Sequence, residues 1–114
     1  MNIDAIVDGL AHYGEDDWIA LWVIVDHVAE ELELEDSQAR LEATLVVVRE
    51  FLRRGFLAGE SPASSNGVHF LPWPDQDPDA IVELIRRQWM GKPDYPDWGD
   101  GPWFAARRFL RLDA

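Results

Sequence analysis

Apolar residues recur along this chain with changing periods, and the changes mark its elements. Ile3, Ile6, Val7 and Leu10 fall at i, i+3, i+4 and i+7, the spacing of one helix face. They predict a first helix over 3–12, with Gly14 as its stop. Trp18, Leu21, Trp22, Val25, Val28, Ala29 and Leu32 step by three and four. They predict a second helix, capped by Asp16 or Asp17 and running to about Glu33. Its first turns are also apolar off that stripe, at Ile19, Ala20, Val23 and Ile24. Either the domain covers both faces or one of them meets a partner.

A third helix is expected over 38–54, where Leu41, Leu45, Val48 and Leu52 form a stripe widened by Val47 and Phe51. Asp36 or Ser37 caps it, Glu50 and Arg54 pair at i, i+4, and Gly55 takes the left-handed position after its end. The period then shortens. Phe56–Glu60 and Val68–Leu71 read as two strands joined by the turn-rich loop 61–67, which ends in Asn66-Gly67. Asp77-Pro78 is a cap followed by a proline suited to the first helical position. It opens a fourth helix to about Met90, with Ile81, Leu84, Ile85 and Trp89 on its apolar face. Gly91 and Pro93 end it, and a Pro/Gly/Asp/aromatic loop follows over 92–102. The tail Trp103–Leu112 alternates as a strand does and is expected to pair with the hairpin.

This order makes an α+β fold in a single domain, 1–114: three N-terminal helices, a β-hairpin, a fourth helix and a C-terminal strand-like tail. Three helices before a hairpin resemble a winged-helix domain, whose third helix reads DNA and whose hairpin is the wing. Here Gln38, Arg40, Arg49 and Arg53 stand at the reader positions. They alternate with Glu42 and Glu50, and the wing loop has no Lys or Arg.

Charge turns the expectation away from nucleic acid. The chain of 114 residues carries 22 acids against 10 Lys+Arg, a net charge of −12. Residues 1–36 hold eleven of those acids and no Lys or Arg. Such a surface repels phosphate backbones and steers cationic partners inward. Glu30, Glu31, Glu33 and Glu35 gather at the end of the second helix, where negative charge opposes the helix macrodipole. That placement is unfavourable for the helix and points to a surface with a purpose. The plain alternative is that the acids keep a small domain soluble.

Catalytic patterns are missing. There is no phosphate-binding glycine loop, nucleophile elbow or His-Glu-x-x-His. Cysteine is absent, so thiol chemistry and disulfides are excluded. His27 and Glu31 share a helix face but supply two metal ligands where a zinc site needs three or four. Asp94, Asp97 and Asp100 lack the calcium-loop signature. No catalytic, cofactor-binding or metal-binding residue is assigned, and no enzyme is expected. Apolar runs are too short to span a bilayer, for which roughly 20 residues are needed. With no signal segment after Met1, a soluble cytoplasmic protein is expected.

A second resemblance lies in the later half. Gly67-Val68-His69-Phe70-Leu71-Pro72-Trp73, the Asp77-Pro78 helix start with Trp89, and Gly99-Asp100-Gly101-Pro102-Trp103-Phe104 are similar to a group of small bacterial proteins. The order of parts, over roughly residues 15–106, also resembles immunity proteins of contact-dependent growth inhibition and related polymorphic toxin systems. The resemblance implies a non-enzymatic inhibitor that binds a cognate toxin, often a basic nuclease. Partner binding is expected at Asp26, Glu30, Glu31, Glu33, Glu35 and Asp36. Asp16 and Asp17 serve as outer steering charges, and Trp98 as an exposed aromatic anchor. The alternatives are a winged-helix transcription regulator and a homodimeric interaction module joined through the apolar excess of the second helix.

Overall fold

The computed structural model describes residues 3–14, 18–60, 72–91 and 101–106. They form four helices, α1 (Ile3–Tyr13), α2 (Leu21–Glu31), α3 (Ser37–Arg53) and α4 (Pro78–Gly91), and a small antiparallel sheet of β1 (Ile19–Ala20), β2 (Leu57–Gly59) and β3 (Trp103–Ala105). The sheet order is β1-β3-β2. Ile19 lies opposite Phe104, and Ala58 lies opposite Phe104 from the other side.

The start of the second helix differs from the periodicity. Ile19 and Ala20 are a strand, and the helix begins only at Leu21. A run apolar on every face suits a two-sided buried strand as well as a helix, and periodicity alone does not separate them. Pairing with β3 decides it here. The off-stripe residues are largely covered from within the chain: Ile19, Ala20 and Ile24 are buried, and Val23 is half-buried against the core.

The tail expectation is met over Trp103–Ala105, which pairs with both other strands. The returning strand 68–71 of the expected hairpin and its loop 61–67 lie outside the described residues. Pro72, the next described residue, bridges Gly59.

Both long-helix ends follow the sequence signals. Asp36 Oδ2 accepts from Ala39 N at 2.9 Å and caps α3, and Asp77 Oδ2 accepts from Ala80 N at 3.1 Å and caps α4. α3 ends with Gly55 at φ 98°. There Gly55 N donates to Leu52 O and Phe56 N donates to Phe51 O, both at 3.1 Å. This is the Schellman arrangement, with its apolar contact supplied by Phe51 and Phe56, stacked at 4.8 Å.

α3 is the central helix. One side carries Thr44, Val47, Val48 and Phe51 into the core shared with α1, α2 and the sheet, where Phe104 meets Phe51 edge-on at 6.2 Å. α4 lies along another side. Trp89 Nε1 donates to Ser37 Oγ at 3.1 Å near the start of α3, and Asp79 pairs with Arg49 near its end. The two helices therefore run antiparallel, with Arg86 and Glu42 paired between those points.

Candidate partner-binding surface

α2 ends in the same Schellman arrangement as α3, but with glutamate in place of glycine. Leu34 N donates to Ala29 O at 2.9 Å and Glu33 N donates to Glu30 O at 3.3 Å. Glu33 is thereby held at φ 53° and is the one non-glycine residue with positive φ among the described residues. That conformation costs a residue with a Cβ about 1–2 kcal/mol relative to glycine. Arg40 Nε reaches back from α3 and donates to Leu34 O at 2.8 Å, which clamps the turn.

The turn presents its acids to solvent. Asp26, Glu30, Glu31, Glu33, Glu35 and Asp36 are all exposed. Asp36 is occupied in capping α3. The carboxylates of the other five meet no hydrogen-bond donor or cation among the described residues. These six lie on the last turns of α2 and the turn into α3. The steering residues Asp16 and Asp17 and the aromatic Trp98 lie outside the described residues.

Elsewhere among the described residues, five acids pair with arginines. Arg54 Nη1 lies 2.6 Å from Asp8 and its Nε 3.5 Å from Glu50. Arg53 meets Glu50 at 3.5 Å, and Arg87 meets Glu83 at 4.0 Å. Arg49 pairs with Asp79, and Arg86 pairs with both oxygens of Glu42. The hydrogen bond from Arg86 holds the Glu42 carboxyl below its ordinary range, against a smaller opposing effect of desolvation. Arg54 is raised chiefly by its hydrogen bond to Asp8. Every described arginine except Arg40 is paired with a carboxylate; of the described acids without an arginine, six lie on the last turns of α2 and the turn into α3, and Asp4, Glu60, Asp75 and Asp77 lie elsewhere.

No family model, curated protein or solved structure matches this chain. The surface is therefore read from its own chemistry.

Residues in the reader positions are committed within the chain. Gln38 donates to Glu42 at 3.1 Å, Arg40 holds Leu34, and Arg49 and Arg53 are ion-paired. Among the described residues no three His, Asp or Glu side chains are grouped to hold a metal ion. No described helix is long and apolar enough to cross a membrane.

Sequence reasoning missed Gln76. Its side-chain amide accepts from Ala58 N at 2.9 Å and donates to Ala58 O and Trp73 O, each at 2.8 Å. Trp73 N also donates to Ala58 O at 3.0 Å. Together these groups close the outer edge of β2, as another strand does. No local pattern announces a glutamine acting as a strand 18 residues away. Sequence reasoning also missed that Glu33 would stand in the left-handed position; a glycine there is the usual signal.

Proposed function

We propose that this protein is a non-enzymatic inhibitor of the immunity-protein type, which neutralises a basic partner protein through the acidic α2–α3 corner. The observation that carries the reading is the segregation of charge. Among the described residues, five exposed carboxylates at the end of α2 and the turn into α3 have no internal partner, while every arginine except Arg40 is spent on an internal ion pair. Long-range attraction from such a corner raises the encounter rate with a cationic surface. A toxin that binds nucleic acid has a cationic surface, and an acidic corner seated there excludes the substrate's phosphates.

The winged-helix-like reading belongs to the same proposal. It is supported by a strand between the first two helices and by the sheet order β1-β3-β2. The DNA-reading alternative is less favoured, because α4 lies along α3 and the side chains it would use are paired internally. The homodimer alternative loses its proposed surface, since the extra apolar residues at the start of α2 are largely buried within the chain.

Affinity capture from the native lysate at moderate salt tests this reading, with captured proteins identified by mass. A stoichiometric basic protein is expected, released by raised salt. Recovery of DNA, or of the bait alone, contradicts it.

A further inference from the structure

α2 places His27 and Glu31 one turn apart on the side facing α1. There they line a cleft of about 310 Å³ with Ala5, Ile6 and Leu32. Its lining is divided. Ala5, Ile6 and Leu32 are apolar, while Glu31 is an exposed carboxylate with no described ion pair. Glu30 and Glu33 stand beside it in the chain and add negative charge. An anion is repelled here. An aliphatic guest leaves Glu31 without a partner.

We infer that this cleft receives an arginine side chain from the basic partner, an inference that rests on the inhibitor reading above. The guest's methylene stem lies against Ile6 and Leu32. Its planar guanidinium forks onto the Glu31 carboxylate and stacks on the His27 imidazole. Lysine fits less well. Its ammonium is a compact, strongly hydrated charge and offers neither the fork nor the flat face. The steering acids draw the partner in, and the cleft fixes where it docks.

The test compares an oligo-arginine peptide with an oligo-lysine peptide of equal length, titrated into the full chain and followed by NMR. Two variants are used: Ala5→Trp, which fills the cleft from an exposed helix position and leaves every carboxylate in place, and Glu31→Gln. The arginine peptide is expected to shift the resonances of Ile6, His27 and Leu32 saturably. Its affinity should fall about tenfold in Glu31→Gln, the loss of a charge-assisted hydrogen bond. Ala5→Trp should abolish the arginine-specific shifts while its circular dichroism stays that of the parent. Equal binding of both peptides, unaffected by Ala5→Trp, overturns the cleft and leaves the acidic corner standing. No saturable binding of either peptide also overturns the cleft, and the corner is then judged by the capture experiment alone.

Discussion

Glu33 and Gly55 occupy the same position in the same capping motif, one residue past the C-cap of α2 and of α3 respectively. Both have positive φ, 53° and 98°. At Gly55 the sequence meets the backbone's requirement, and at Glu33 it defies it. The residue that defies it belongs to the acidic corner and has no described partner for its charge. Strained backbone is enriched at functional sites, so the left-handed Glu33 is consistent with the proposed binding surface.

Replacing Glu33 by glycine should therefore stabilise the protein. Urea denaturation of Glu33→Gly is expected to show a gain of about 1 kcal/mol with unchanged m-value. The same experiment on Gly55→Ala should show a loss of similar or greater size. A loss in Glu33→Gly contradicts the assignment of strain to that residue.

Thr44 is the one buried residue with a polar side chain among the described core, and its Oγ1 has no hydrogen-bond partner there. Leaving a buried hydroxyl unpaired costs about 1–3 kcal/mol. Thr44→Val keeps the branched shape and removes that cost, so its thermal midpoint should be equal to or above that of the parent. A clear drop contradicts this and means that the hydroxyl is satisfied in solution.

Gly14 leaves no room for a side chain. A Cβ there comes within 2.8 Å of both Ile19 Cδ1 and Phe56 Cε2. Both neighbours belong to the core, so Gly14→Ala is expected to cost about 1–3 kcal/mol of unfolding free energy. Gly9, which has open space, is the control. Gly9→Ala lies inside α1 and should be neutral or stabilising.

The Glu42–Arg86 pair gives stability a defined dependence on pH. The folded protein holds the Glu42 carboxyl below its ordinary value, so the unfolded chain binds that proton more readily. The contribution is fully present above the ordinary glutamate value and is lost as pH falls through the lower, folded one. Glu42→Gln should flatten the acid limb of the stability–pH profile without altering its neutral plateau greatly, since the pair is exposed. A parent and variant with parallel acid limbs contradict this.

Helices α1, α3 and α4 were legible in the sequence because each combines a strong stripe with an explicit stop or cap: Gly14, Asp36 with Gly55, and Asp77-Pro78. β1 was not, because Trp18 continues the stripe of α2, Ile19 and Ala20 are apolar off it, and only the pairing with β3 distinguishes strand from helix. The clamp of Gln76 on Ala58 was invisible for a similar reason, being a tertiary contact with no local signature. The acidic corner was legible as composition. What the sequence lacked was the contrast made by tertiary contacts: Asp8, Glu42 and Asp79 reach arginines on other helices, while the acids of the α2–α3 turn reach none among the described residues.

That contrast gives the most direct test of the account. Three baits are compared for retention of the basic partner from native lysate at one moderate salt concentration: the parent chain, a triple reversal Glu30→Lys, Glu31→Lys and Glu33→Lys at the corner, and Glu83→Lys on α4. The account predicts that the corner reversal loses the basic protein, while the parent and the α4 variant retain it. Retention by the corner variant, or equal loss from both variants, contradicts it.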